Sequence, residues 1–238
     1  MQNNKIIKST VRINKRMADL GLASRREADE MIATGIVFVN GKKAESGMQI
    51  DPEKDKIEIR SDKKTFVYYA YNKPVGILTT GAHGDEKDIL SSTKFPQKVF
   101  PLGRLDKDSH GLILLTNDRR ITHRLLDPKF EHEKEYRVSI EGNINREFLK
   151  KMDEGVKIDG VQTKPAKIIR ENPQTFRIIL TEGKNRQIRR MVEASGDKVN
   201  DLVRLRVENI PLGNLRTGMY RSLAKEEVSV LLGKLDLK

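Results

Sequence analysis

The amino-acid sequence predicts an α+β protein in two parts. A small N-terminal module of two helices and a small sheet precedes a larger domain on a mostly antiparallel mixed β-sheet with flanking helices. Three observations carry this expectation. Apolar residues near the N-terminus recur at helical spacing, then give way to short alternating runs split by an Asn-Gly pair. A charged stretch, "RSDKKT" from Arg60, then interrupts the apolar pattern. Beyond it, strand-like and helix-like runs lack the regular alternation that a doubly wound parallel sheet needs.

Residues 1–11 read as a flexible tail. Ile13, Met17 and Leu20 then share one helix face, and Gly21 is placed to end that helix. Ser24 to Glu27, "SRRE", is a capping box: the serine hydroxyl can accept from the N3 amide while Glu27 reaches back to the Ser24 amide. Ala28, Met31 and Ile32 form the apolar stripe of the second helix, which Gly35 ends. "VFVNGKKA" is a strand, an Asn-Gly turn and a strand. "DKIEI" closes the module with Ile57 and Ile59 in alternation. The module spans 12–60 and a linker 61–66. Arg12, Lys15, Arg16, Arg25 and Arg26 gather around the two helix starts. Arg25 and Arg26 occupy a first turn where the helix dipole favours acids, which points to an anionic partner rather than to helix stability.

The larger domain, 67–238, opens on the strand "FVYYAYNKP". "LILLT", "EYRVSI", "AKIIRE" and "TFRIILTE" supply further strands. Helices are expected near 121–126, 146–154, 186–194 and 225–235.

The charge balance narrows the function classes. With 46 Lys and Arg against 34 Asp and Glu, the net charge is +12, which fits a polyanionic partner such as nucleic acid. No apolar run approaches the roughly 18 residues of a membrane-spanning helix, and the N-terminus lacks the apolar core of a signal peptide. A cytoplasmic protein that engages no membrane is expected. The absence of cysteine excludes disulfides and thiolate metal sites. His83, His110, His123 and His132 do not fall at metal-ligand spacing, so no metal is expected.

Two segments are candidates for chemistry. In "GRLDKDSHGLILLTND", Asp106 sits between Gly103 and Gly111 and feeds into a buried strand, an arrangement that can hold a carboxylate on a rigid base. Spacing alone leaves open a solvated turn aspartate, and Asp108 is a nearby competitor suited to turn or capping work. In "LTEGKNRQIRRM", Lys184, Arg186, Arg189 and Arg190 come with no acid among them, while Ile188, Met191 and Val192 mark a separate apolar face. Uncompensated like charges on a helix are mildly unfavourable, so an anion is expected opposite them. "NKPVGILTT" places Lys73, Pro74 and Gly76 at a strand-ending turn, and "HEKEYRVSI" places Tyr136 in a strand among charges.

The core "LASRREA" from Leu22 to Ala28 and its surrounding elements resemble the S4 RNA-binding domain over residues 12–60. Followed in order by "NKPVGI", "GRLDKDSHGLILLTND", "KEYRV" and "EGKNRQIRRM", the chain resembles the pseudouridine synthases of the RsuA/RluB/RluE/RluF group, closest to the RluF type. The resemblance implies a cofactor-free isomerisation of a uridine to pseudouridine in ribosomal RNA, most simply in a 23S rRNA hairpin, by flipping of the base. It implies that Asp106 is catalytic and that Lys184 pairs with it and keeps it ionised. Tyr136 would stack on the flipped base, Leu180 and Ile188 would wall the pocket, and Arg104 would touch the RNA backbone or fill the gap in the helix. RNA contacts are expected from Arg12, Lys15, Arg16, Arg25, Arg26, Lys73, Arg186, Arg189 and Arg190. The partner would be 23S rRNA or its large-subunit precursor, and the protein a monomer. The competing function is a non-catalytic S4-type protein of rRNA binding or ribosome assembly. A carboxylate glycosidase or nuclease is disfavoured, because glycoside hydrolysis ordinarily uses two flanking carboxylates.

Overall fold

A computed structural model describes residues 10–60 and 65–237. The chain divides into two units, one of residues 1–66 with 118–121 and one of 67–117 with 122–238. The expected tail and linker lie mostly outside the described residues. Val11, the last residue of that tail, already belongs to a strand because it pairs with Ile50. Among the described residues no helix is long and apolar enough to cross a membrane.

In the small unit, β1 (Val11–Arg12) runs into α1 (Ile13–Asp19), which buries Ile13 and Met17. Gly21 then takes a positive φ of 68° and the chain turns into α2 (Arg25–Ala33). Ser24 and Glu27 form the expected capping box, with Ser24 N donating to Glu27 Oε2 at 2.9 Å and Glu27 N to Ser24 Oγ at 3.3 Å. Arg119 Nε also donates to the Glu27 carboxylate, at 2.7 Å. Burial works to raise the Glu27 pKa, but the Arg119 and Ser24 hydrogen bonds prevail and hold it at about 2. The hairpin of β2 (Val37–Val39) and β3 (Lys42–Lys43) turns through Asn40 and Gly41, both at positive φ, as an Asn-Gly turn requires. β4 (Gln49–Ile50) pairs with β1, and β5 (Ile57–Ile59) pairs with β2. Ile13, Met17, Ala28, Ile32, Val37, Val39 and Ile50 make one core.

From Tyr68 onward the chain runs through β6 (Tyr68–Lys73), α3 (Ile89–Ser92), β7 (Phe100–Leu102), β8 (His110–Thr116), α4 (Arg120–Leu126) and a 3-10 turn (Pro128–Phe130). β9 (Lys134–Ile140), α5 (Arg146–Glu154), the hairpin β10 (Lys157–Ile158) and β11 (Val161–Gln162), β12 (Lys167–Asn172) and β13 (Thr175–Leu180) follow. α6 (Gln187–Ala194), β14 (Val199–Val207), β15 (Ile210–Pro211), β16 (Tyr220–Ser222) and α7 (Lys225–Lys234) complete it. The main sheet has the order β12-β13-β9-β14-β8-β6-β16, with β15 on β14 and β7 on β8. Every pairing is antiparallel except β14 with β8, so the sheet is mixed as expected.

Two apolar clusters flank the functional region. Phe148 and Met152 of α5 and Ile188, Met191 and Val192 of α6 pack with Val138, Ile140, Phe176, Ile178, Leu180 and Leu202 of the sheet. Tyr69, Tyr71, Ile113 and Leu115 gather with Ile89, Val99 and Leu105 in the second cluster. Tyr136 packs against both. β8 reads as an unbroken apolar run because it is central and Leu112 to Leu115 are all buried, on both faces of the sheet.

The parallel seam sets Val203 against His110 and Arg204 against Gly111. Gly111 stands at φ 101°, and a Cβ there would lie 2.5 Å from the Arg204 carbonyl oxygen and 2.7 Å from its nitrogen. Gly111→Ala is therefore expected to cost about 3 kcal/mol or more in urea unfolding. Gly218→Ala, also at positive φ but with open space around its Cβ, should cost about 1 kcal/mol. Equal costs would show that the seam does not need its glycine.

Candidate active site

The loop from Gly103 to Ser109 joins β7 to β8, and its backbone is held at almost every step. Leu105 N donates to Thr79 Oγ1 at 2.9 Å, and the same hydroxyl donates to Leu105 O at 2.8 Å. Gly76 N donates to Lys107 O at 2.8 Å, so the Lys-Pro-Val-Gly turn leans on the loop. Ser109 N closes a turn onto Asp106 O at 3.1 Å. Arg189 Nη2 reaches Asp108 O at 2.9 Å and Ser109 Oγ at 3.2 Å. Lys73 is 0% exposed, and its ammonium donates to Pro74 O at 2.9 Å and Ser109 O at 2.8 Å. Burial pushes the Lys73 pKa down to about 8, while the charges of Asp106 and Asp108 work in the opposite direction.

Held in this way, Asp106 faces a cavity of about 410 Å³. Its side chain is 30% exposed, so the carboxylate borders the cavity without being sealed in it. Tyr136, Leu180, Ile188, Arg104 and Lys184 line the same cavity, as do Lys134, Glu182, Arg186 and Arg204. The predicted Asp106, Tyr136, Leu180, Ile188 and Arg104 thus share one cleft. Two apolar side chains wall it, an aromatic ring stands between the two cores, and a carboxylate and several cations supply the charge. Among the described residues, no three His, Cys, Asp or Glu side chains converge as they would around a metal.

The expected partner of Asp106 is corrected. Lys184 Nζ lies 3.8 Å from Glu182 Oε2 and 3.4 Å from the Gln162 carbonyl. The cation beside Asp106 is Arg186, with Nη1 at 3.8 Å from Oδ2. The cause is the turn before α6: Lys184 O accepts from Gln187 N, Lys184 N donates to Gln187 Oε1, and Arg186 takes a left-handed conformation at φ 48°. The shorter bonds of Arg186 go to Asp108, at 3.1 and 2.8 Å, and they hold the Asp108 carboxyl below the usual range.

Three of the residues expected to contact RNA have partners within the protein. Lys73 is wholly buried under the loop, Arg189 is bound to the loop backbone, and Arg190 forms an ion pair with Asp159. In the small unit, Arg12, Lys15 and Arg25 line an open groove of about 360 Å³ with Asn14 and Gln49. Arg26 is exposed nearby in sequence, and Arg16 is turned to the Pro52 carbonyl at 2.8 Å. Thr79, Lys134 and Arg204 were not anticipated. Thr79 carries no pattern of its own, whereas Arg204 is a lone cation inside the apolar alternation "DLVRLRV", a signal that was available.

Comparison with known proteins agrees with this arrangement. The RNA pseudouridylate synthase family matches residues 67–194, and the S4 domain matches 11–57. The dual-specificity RNA pseudouridine synthase RluF of Escherichia coli (strain K12) is 42% identical over 226 residues, which is 92% of this chain and 78% of that protein. The ribosomal large subunit pseudouridine synthase B of Bacillus subtilis (strain 168) is 36% identical over 237 residues, covering 94% and 97% respectively. A crystal structure of a pseudouridylate synthase superposes with a TM-score of 0.70 at 30% identity, over 93% of this chain and 99% of that one.

The clamp has a titration signature. In lysine-labelled protein, the Lys73 ammonium is expected to titrate near pH 8 by NMR, below the ordinary lysine value. Asp106→Asn removes a negative charge that favours the ammonium, so the Lys73 pKa should fall further. A Lys73 that titrates at the ordinary lysine value, or a pKa that rises in the variant, would contradict the burial described above.

Proposed function

The chain belongs to the RNA pseudouridylate synthase family, and on that footing we propose that it isomerises a uridine of large-subunit ribosomal RNA to pseudouridine, with Asp106 as the catalytic carboxylate. The observation that carries the assignment is a carboxylate on a clamped loop, sharing a cleft with Tyr136 and lying 3.8 Å from Arg186. The N1–C1′ bond of the uridine breaks, the base turns, C5 joins C1′, the C5 proton leaves and N1 takes up a proton. Atoms balance within the nucleotide, so the reaction requires no oxidant, reductant or second substrate. Asp106 works at the sugar, either as the nucleophile at C1′ or as the base that takes the 2′ proton. Arg186, rather than Lys184, is the cation placed beside the carboxylate.

The base must leave its stack to enter the cleft, which costs a few kcal/mol. Tyr136 offers it a ring face, and Leu180 and Ile188 close the sides. Arg104, exposed at the rim, is available to the RNA backbone. We assign RNA docking to residues 12–60, through Arg12, Lys15, Arg25 and Arg26, and catalysis to 67–238. Ribosomal RNA as substrate, 23S rRNA in particular, is supported by the ribosomal name of the Bacillus subtilis relative and by the net charge of +12. A cytoplasmic monomer is the form in which we expect it to act.

Purified protein is expected to release tritium from a 23S rRNA transcript labelled at uridine C5. Asp106→Asn should lower that release by about four orders of magnitude or more, of the scale seen when a reacting group is removed, while filter binding of the transcript stays within a few-fold. Undiminished release from the variant would refute the role of Asp106. A wild-type protein that binds RNA and releases nothing would favour the non-catalytic alternative.

A further inference from the structure

Arg204 lines the cleft and has no part in the chemistry described so far. In β14 it is in register with Tyr136 on one side and Gly111 on the other. It is 3% exposed. Its Nε donates to Leu112 O at 2.6 Å, and its Nη2 is buried with no hydrogen-bond partner among the described residues. An unpaired buried donor is costly, more so when it is charged, and native proteins satisfy nearly all such groups. A ligand that fills the cleft would supply the acceptor.

The neighbourhood says what that ligand is. Directly opposed residues on adjacent strands have their Cβ atoms about 5 Å apart on one face of the sheet. A flat ring laid on Tyr136 therefore has an edge within reach of the Arg204 guanidinium. A second cation stands close by: Lys134 lines the cleft, donates to His132 O at 3.0 Å, and has its pKa lowered by burial and then by the charge of Arg204. Two cations inside the cleft favour an oxygen that is negative or becomes so. A backbone phosphate would meet the exposed Arg104 and Arg186 before it met a buried arginine.

The uracil ring carries two carbonyl oxygens on its edge. When the N1–C1′ bond breaks, the electron pair stays with N1 and spreads onto O2 and O4, so a neutral base becomes an anion. We propose that Arg204 is a catalytic residue: its Nη2 donates a hydrogen bond to a carbonyl oxygen of the flipped uracil and stabilises the negative charge that the base acquires as it leaves the sugar. No proton is transferred to or from the guanidinium. The electron pair returns to the sugar from C5 when the C5–C1′ bond forms; the C5 proton is then lost and N1 takes up a proton. Because the charge exists only after bond breaking begins, the hydrogen bond is stronger in the transition state than with the bound substrate, which is what accelerates a step. The inference rests on the uridine-isomerase assignment made above.

The test uses the full chain in single-turnover reactions on two 23S rRNA transcripts, one with uridine and one with 5-fluorouridine. The fluorinated base is the more acidic and leaves more readily, so it needs less help. Arg204→Gln is expected to slow N1–C1′ cleavage in the uridine transcript about 100-fold or more, in the range found for a lost oxyanion donor. Transcript affinity should change little. On the 5-fluorouridine transcript the loss should shrink by about tenfold. No loss, or the same loss on both transcripts, would overturn the proposal, since a misplaced strand slows both alike. Should Arg204→Gln fail to fold by circular dichroism, Arg204→Lys keeps the charge and is measured in its place. Independently of any variant, a structure of the wild-type protein with the 5-fluorouridine RNA must place Nη2 within hydrogen-bond distance of O2 or O4. A guanidinium bound there to phosphate or to water alone would overturn it. A wild-type protein that converts no uridine in either transcript would instead defeat the isomerase assignment itself.

Discussion

Lys73 places a fully buried ammonium between two backbone carbonyls, those of Pro74 and Ser109, and the rest of the site depends on that grip. An ammonium taken out of water is expensive, so it persists only where its donors are met and its charge is answered. Two carbonyls meet the donors, and Asp106 and Asp108 answer the charge from the loop itself. The lysine thus fixes the loop through its backbone and favours, at a distance, carboxylates on the same loop. Thr79 completes the grip by satisfying both backbone groups of Leu105 with one hydroxyl.

The two carboxylates of the loop divide the work between them. Asp108 takes the short two-pronged contact with Arg186 and fixes the position of the guanidinium. Asp106 receives the same cation only at 3.8 Å. Its oxygens therefore feel a positive neighbour without being locked into a bidentate pair. A group that has to approach a sugar carbon or a sugar proton needs an oxygen it can commit elsewhere. Both oxygens of Asp108, by contrast, are engaged by Arg186.

Much of this was legible before any coordinates. Periodicity located α1, α2, α5 and α6 and the strands β6, β8, β9 and β13, but not β14, whose apolar run is interrupted by Arg204 and Arg206. The capping box of α2 and the Asn-Gly turn were legible because they are local chemistry. The motif order brought Asp106, Tyr136, Leu180 and Ile188 to one place. What sequence could not provide was the direction of long cations. Lys73, Arg189 and Arg190 read as charge available to RNA and Lys184 as the partner of Asp106, and each has another partner within the fold. The left-handed turn at Arg186, which decides which cation reaches Asp106, has no glycine to announce it. Arg204 was overlooked for the opposite reason: one arginine in an apolar strand looks like an interruption until its strand neighbours are known.

The seam between β8 and β14 joins segments far apart in the chain, and those segments carry the two ends of the cleft: the Asp106 loop enters β8, and Arg204 lies in β14. During synthesis the loop and Tyr136 leave the ribosome early, but the cleft has no floor until residue 204 has followed them. The cleft is thus complete only once the chain has been made through β14.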